Sequence, residues 1–338
     1  MPSGRESFEA SKALQETLTK GRPEFEALVR QTRWGEGPVY LIGSGASQWV
    51  GLAGAYGFES LTGWPAIARS ALDFTAYATT ALARRAVVIA ISRSGESNEI
   101  LEAASAARAR GAAILALTGK PDSPLAKTAD GVFLVRGSGE GASQTVELLS
   151  RHAAAGYVSL TVARTLRRPT QQMEALEREF EKLPALVEWV LTQLQDAAGL
   201  LVSQLKEVRE VFVVAGGFYR PVALLWALLL DRMTQKRTLV FEPGEFRPPP
   251  AAERDAAFVF LSSSRCRLKT QVHECVGGLK KSGARLLSLT DGSDRELVDG
   301  STLAVLLPAV SEMVASTLAL ALLQQTAARI GNREQVRN

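Results

Sequence analysis

The chain has 338 residues, of which 46% are hydrophobic, 22% charged and 7% aromatic, and its formal net charge is +4. These proportions are typical of a soluble globular protein, and the length predicts two domains of ordinary size. Two histidines and two cysteines exclude a multi-disulfide framework and argue against a dedicated His/Cys metal site. We therefore expect no metal and no other cofactor.

The small basic excess does not point to nucleic acid. Basic residues are scattered in pairs, and no run of five or more is present. Residues 1–20 contain no apolar segment typical of a secretion signal, and the most apolar stretch, 222–230, is far too short to cross a bilayer. The sequence predicts a cytoplasmic protein with neither a nucleic-acid nor a membrane partner.

Apolar spacing along the chain predicts alternating helices and strands. Residues 6–33 have mostly helical periodicity, interrupted at 21–23, and predict two opening helices. Four short apolar runs bounded by glycine or polar turns follow at 39–42, 86–91, 113–117 and 131–135. Such runs are typical of buried parallel strands, and the helical stretch 99–110 between two of them indicates a βαβ unit.

A repeat is visible in the sequence. The strand–helix–strand pattern of residues 87–119 recurs at 258–292, and residues 211–217 resemble the strand and glycine turn at 40–45. We therefore predict an α/β protein with two similar three-layer α/β/α halves, each containing a parallel sheet. The expected boundaries are N-terminal helices at 1–36, a first domain at 37–168, a helical linker at 169–205, a second domain at 206–330 and a tail at 331–338.

Two of the predicted strands end in turns rich in glycine and serine. The turn after the 86–91 strand has the sequence Ser92-Arg93-Ser94-Gly95-Glu96-Ser97, and the turn after the first strand contains Ser44 and Gly45. Backbone N–H groups at the start of a helix lack partners and attract anions, and serine hydroxyls add donors. These turns predict a phosphate site at the carboxyl edge of the sheet. The alternative is that both are ordinary strand-to-helix turns with capping serines.

The 92–97 turn resembles the phosphosugar signature of the sugar isomerase (SIS) domain, in which Ser-Gln-Ser-Gly-Glu-Thr is common. The 43–47 turn and the loop at 140–145 also resemble SIS segments. The two halves together are similar to the isomerase part of glucosamine-6-phosphate synthase and to related phosphosugar ketose/aldose isomerases. The resemblance implies a flavodoxin-like SIS fold, a sugar phosphate ligand and a homodimer.

The resemblance also implies roles for individual residues. The phosphate would be bound by Ser92, Ser94, Gly95 and Ser97. The remainder of the ligand would be contacted by Ser44, Gly45, Arg93, Ser143, Gln144 and Thr145. Arg93 replaces the usual glutamine and either pairs with the ligand or is a solvated surface side chain. Val146 lies where the family commonly has lysine.

The second half departs from the family pattern at its catalytic positions. Leu229 lies at the lysine position, Arg232 at the glutamate position and Pro248 at the histidine position, and residues 331–338 contain no lysine. Glu245 and Glu140 are the carboxylates that could act as a base, although Glu245 could instead order its own loop. The sequence thus leaves two hypotheses. One is a metal-independent isomerase or deglycase of amino- or ketose-6-phosphates, and the other is a phosphosugar-binding sensor or regulator without catalytic activity.

Overall fold

The computed structural model describes residues 4–34, 37–137, 143–167, 169–247, 256–280 and 283–335. The chain divides into two compact units, Phe8–Pro184 and Ala185–Asn338 together with Met1–Ser7. The division falls inside helix α8 (Gln171–Gln193), directly after Pro184, which cannot donate a backbone hydrogen bond. The finer boundaries expected from the sequence remain predictions.

The first unit contains a five-stranded parallel sheet with the order β2-β1-β3-β4-β5. Its strands are β1 Val39–Gly43, β2 Ala66–Ser70, β3 Val87–Ile91, β4 Ala113–Thr118 and β5 Gly131–Leu134. Its helices are the part of α1 (Gly4–Leu14) from Phe8 onward, α2 Arg22–Gln31, α3 Ala46–Thr62, α4 Ala71–Asp73, α5 Asn98–Ala109, α6 Pro124–Thr128, α7 Gln144–Leu166 and the first part of α8. Shorter π and 3-10 helical turns span Gln15–Lys20, Phe74–Ala78 and Thr79–Ala81.

Both faces of this sheet are buried, because successive side chains of each strand point to opposite layers. Tyr40 and Ile42 of β1 belong to a core cluster that includes Ile100 of α5. Between them, Leu41 faces the opposite layer, where a Cβ on Gly54 of α3 would lie only 2.6 Å from the Leu41 Cδ2 atom. The central strands are apolar throughout because they are covered on both sides.

The second unit has a sheet of the same connectivity, with the order β10-β9-β8-β6-β7. Its strands are β6 Glu210–Ala215, β7 Arg237–Phe241, β8 Ala256–Leu261, β9 Arg285–Asp291 and β10 Leu303–Leu307. Its helices are the end of α8, α9 Gln195–Leu205, α10 Tyr219–Met233, α11 Lys269–Leu279, α12 Arg295–Gly300 and α13 Glu312–Gln335. Phe212, Phe258 and Phe246 pack together in its core.

The predicted fold class is confirmed, with two α/β/α halves that share one strand order. Two strands, β2 and β7, are absent from the sequence prediction. Both lie at the edge of their sheet and are only partly buried, so neither produces an apolar run. No helix within the described part of the chain is long and apolar enough to cross a membrane.

Candidate functional site

The first sheet places its two serine turns side by side. Strands β1 and β3 are hydrogen-bonded neighbours, and Gly43 at the end of β1 pairs with Ile91 at the end of β3. From β1 the chain continues to β2 at one edge of the sheet, and from β3 it continues to β4 and β5 at the other edge. The direction of the strand order therefore reverses between β1 and β3. Their carboxyl ends therefore flank the crevice where open α/β sheets bind ligands. We call this crevice, with residues 44–45, 92–97 and 143–145 around it, the switch-point site.

The 92–97 turn is held in a tight shape by its own first hydroxyl. Ser92 is buried, and its Oγ accepts a hydrogen bond from the Gly95 backbone N–H at 2.9 Å. Gly95 has a φ of +66°, and a Cβ there would lie 2.2 Å from the Ser123 Oγ. Only glycine fits this conformation and this contact, so the turn passes closely over the loop before α6.

Ser97 is the N-cap residue of α5, yet its side chain makes no capping hydrogen bond. Ser123 and Ser143, which precede α6 and α7, do cap their helices through their side chains. The Ser94 side chain makes a local hydrogen bond but caps no helix, because its Oγ accepts from the Glu96 backbone N–H at 3.2 Å. Ser97 is half-buried at the start of a 12-residue helix, where a bound anion is favoured.

The turn at 44–45 leads directly into α3. Gly45 has a φ of 55° and a ψ of −125°, a conformation that favours glycine. The Ser44 carbonyl accepts from the Ser47 N–H at 3.2 Å, which closes the first turn of the helix. Ser44 is half-buried and Gly45 is exposed.

Helix α7 connects the two serine turns through charged side chains. Arg151, which is 5% exposed, donates from its Nη1 to the Ser47 Oγ at 3.0 Å. One turn earlier, the Glu147 Oε2 lies 3.8 Å from the Nε of Arg93. Residues 44–47, 92–97 and the start of α7 therefore come together at one place. Among the predicted residues, Ser143, Gln144 and Thr145 lie at the beginning of α7, whereas Glu140 lies outside the described residues.

Neither Glu147 nor Arg151 belongs to the set predicted from the sequence. The available signal is their position, since most other residues of α7 from 146 to 163 are apolar and nearly every residue there is buried. Burial lowers the pKa of Arg151 to about 10, an effect that Glu147 opposes and Arg93 reinforces. Arg151 is still protonated at neutral pH. Next to it, burial lowers the pKa of His152 to about 4, so this histidine is neutral.

The carboxylate proposed for catalysis lies in the other unit. Glu245 is exposed, and its backbone N–H donates to the Glu242 carbonyl at 3.1 Å. The Glu242 side chain in turn pairs with Arg220 at the start of α10. On the same helix Leu229 is partly buried and Arg232 is exposed, and Pro248 lies outside the described residues.

The corresponding crevice of the second sheet contains a carboxylate of the protein itself. Glu312, at the start of α13, accepts hydrogen bonds from the Arg267 N–H and the Cys266 thiol, both at 3.4 Å. A Cβ on Gly217, whose φ is +54°, would lie 2.7 Å from the Glu312 Oε1. Burial raises the pKa of Glu312, and it raises the pKa of Cys266 to about 12. This crevice is therefore occupied by the Glu312 side chain.

The remaining histidine contacts two acidic residues. The ring nitrogens of His273 lie 2.8 Å from the Asp294 Oδ1 and 3.0 Å from the Glu296 Oε2, which connects α11 to α12. Among the residues that the structure describes, no group of three or more His, Cys, Asp or Glu side chains could hold a metal ion.

Residues 34–155 match the SIS domain model, and these residues include every part of the switch-point site. This part of the first half is therefore similar to SIS domains. The second half repeats the strand order of the first, and the chain as a whole has the two-half architecture expected from the sequence.

The chain is similar to glutamine–fructose-6-phosphate aminotransferases (isomerizing). It is 26% identical to that of Synechocystis sp. over 311 residues, which cover 87% of this chain and 48% of the relative. It is 30% identical to that of Mycolicibacterium smegmatis over 218 residues, which cover 63% of this chain and 34% of the relative. The chain thus spans half or less of the length of these two relatives.

Solved structures show the same fold. The C-terminal domain of glucosamine-fructose-6-phosphate aminotransferase from Francisella tularensis matches with a TM-score of 0.82 and 20% identity, over 97% of this chain and 94% of that one. The tagatose-6-phosphate ketose/aldose isomerase of Escherichia coli matches with a TM-score of 0.79 and 18% identity, over 98% and 92% of the two chains. At these identities the similarity establishes the fold.

Proposed function

We propose that the switch-point site binds the phosphate group of a sugar phosphate. The observation that carries the proposal is the 92–97 turn. There the Gly95 backbone adopts a left-handed conformation that favours glycine, and the Ser97 hydroxyl makes no capping bond at the start of α5. Ser92 shapes the turn from beneath, and Ser94 adds a second hydroxyl. The similar proteins act on fructose 6-phosphate and tagatose 6-phosphate, and this supports a sugar phosphate as the ligand.

For the reaction, we propose a metal-independent sugar-phosphate isomerase or deglycase that acts on an amino- or ketose-6-phosphate. Such chemistry needs a base that moves a proton between adjacent carbons. Glu245 and Glu140 are the candidates for this base.

The second candidate function is a phosphosugar-binding sensor or regulator without catalytic activity. It is favoured by the side chains of Leu229 and Arg232, because an alkyl group has no proton acceptor and a guanidinium carries donors only. Glu245 is also exposed, without the burial that usually accompanies a catalytic carboxylate.

A two-step experiment separates these functions. Thermal shift and calorimetry with a panel of hexose 6-phosphates and amino-sugar phosphates would first identify ligands, which we expect to stabilise the protein. A coupled isomerase assay on those ligands would then test turnover, in wild type and in Glu245→Gln. Glu207→Gln, at another exposed glutamate of the same unit, is the matched control. Turnover lost only in Glu245→Gln would support the enzyme, and stabilisation without turnover would support the sensor. If no phosphosugar or inorganic phosphate shifts the melting temperature, both functions are wrong.

We further propose that the protein is a homodimer, as the SIS resemblance implies, that its two halves arose by internal duplication, and that it works in the cytoplasm. Light scattering coupled to gel filtration would measure the oligomeric state directly. A mass near 36.3 kDa, that of one chain, would contradict the dimer.

A further inference from the structure

Besides the hydroxyls of its serine turns, the switch-point site contains the charged side chains of Arg93, Glu147 and Arg151. Arg93 follows β3, whereas Glu147 and Arg151 lie on successive turns of α7. The Arg93 Nε and Glu147 Oε2 are 3.8 Å apart, and the Arg151 Nε donates to the Glu147 backbone carbonyl at 3.4 Å. The two arginines and one carboxylate give this cluster a net charge of +1.

The three members differ in how firmly they are held. Arg151 is almost completely buried and is fixed to the Ser47 Oγ at 3.0 Å. Glu147 has a side chain that is 13% exposed, and that of Arg93 is 49% exposed. At 3.8 Å the Arg93–Glu147 pair is a long ion pair, and a pair so exposed on one side is weak. The exposed Arg93 side chain can therefore exchange Glu147 for another anion, whereas Arg151 is held in place by its burial and by Ser47.

We propose that Arg93, Glu147 and Arg151 set the affinity of the site for a doubly charged phosphate group, a proposal that rests on the sugar-phosphate function above. Arg151 supplies a fixed positive charge beneath the serine turns. Glu147 holds Arg93 at the rim when the site is empty and competes with the ligand for it. A dianionic phosphate replaces Glu147 as the partner of Arg93, and the buried charge of Arg151 offsets the second negative charge of the ligand.

The test uses inorganic phosphate and fructose 6-phosphate as probes in calorimetry, with the full chain. Glu147→Gln removes the competing carboxylate and should lower the Kd for both probes about three- to tenfold. Arg151→Met removes the fixed charge and should raise both Kd values at least tenfold, whereas Arg151→Lys should stay within a few-fold of wild type. Arg93→Gln should raise Kd by a larger factor in the Glu147→Gln background than in wild type, because Arg93 no longer has a partner there.

Kd is expected to fall in Glu147→Gln and to rise in Arg151→Met. These opposite changes distinguish a charge effect from damage to the fold, which would weaken binding in every variant. If Arg151→Met does not fold, Glu147→Gln and Arg151→Lys still decide the question. Tighter binding in the former with near-wild-type binding in the latter supports the proposal, and weaker binding in Glu147→Gln overturns it. Wild type that binds both probes, with Ser97→Ala weakened and Arg151→Met unchanged, would contradict the charge cluster while leaving the proposed function intact. Absence of probe binding in wild type would overturn both.

Discussion

Gly95 lies directly against Ser123, so that a Cβ at position 95 would be 2.2 Å from the Ser123 Oγ and 2.6 Å from its Cβ. The Leu125 N–H also donates to the Gly95 carbonyl at 3.0 Å. The 92–97 turn is thereby fixed to the loop before α6, and the positions of Ser94 and Ser97 depend on this contact.

We expect Gly95→Ala to weaken phosphate binding at least tenfold and to lower the free energy of unfolding by about 1–3 kcal/mol, because the residue has a positive φ and an added Cβ would clash with the Ser123 side chain. Calorimetric titration with phosphate and denaturant unfolding would measure the two effects. Gly111→Ala is the control, since Gly111 has a φ of +83° but no atom within 4 Å of its added Cβ. It should cost stability through backbone strain alone and leave binding unchanged; an equal loss of binding in both variants would contradict the proposed role of the contact.

Ser123→Ala should lower the stability of the protein, whereas Ser97→Ala should lower its affinity for phosphate. Ser123 caps α6 by accepting from the Ala126 N–H, and its loss should cost about 1 kcal/mol of unfolding free energy. Ser97 makes no capping bond, so Ser97→Ala should change stability by only a few tenths of a kcal/mol. It should nevertheless raise the Kd for phosphate about tenfold, because a hydrogen bond to a charged group is removed. An unchanged Kd in Ser97→Ala would remove this residue from the site.

The buried His152 predicts a loss of stability in acid. Its pKa is about 4 in the native state, against an ordinary value of 6.5. The unfolded state therefore takes up a proton first, and the stability that is fully present above pH 6.5 is lost as the pH falls toward 4. The shift corresponds to about 3 kcal/mol. Chemical unfolding of wild type and His152→Gln at several pH values between 7 and 4 would measure it. His273 is present in both proteins, so its contribution cancels, and parallel pH curves would contradict the prediction.

The buried Glu312 predicts the opposite slope. Burial raises its pKa above the ordinary value of 4.5, so the native state retains a proton that the unfolded state has released. Its contribution to stability is present below pH 4.5 and is lost as the pH rises through its native pKa. Glu312→Gln cannot ionise and should lack this loss, giving a flatter curve of unfolding free energy against pH above 4.5 than wild type. A steeper decline in Glu312→Gln would show that ionised Glu312 is stabilised by the Arg267 N–H and the Cys266 thiol.

Much of the fold and part of the site follow from local sequence. A central parallel strand such as β3 is covered on both faces and must be apolar throughout. Residues 92–97 predict anion binding from sequence because a glycine and three hydroxyls precede a helix. The edge strands β2 and β7 leave no such pattern, because each is partly exposed.

The charge cluster and the occupied crevice of the second half were decided by tertiary structure alone. Arg151 reaches Ser47 across 104 residues of sequence, and Glu312 reaches Cys266 across 46. The largely apolar sequence around Arg151 on α7 indicates that this arginine is buried, but it does not show which groups Arg151 contacts, because one of them lies on an element distant in the chain. The sequence by itself determined a repeated pattern of strands and helices, and it predicts a phosphate site at the turn of residues 92–97. Packing determined which charges lie beneath that turn, because a buried charge acquires its partners only when distant elements meet.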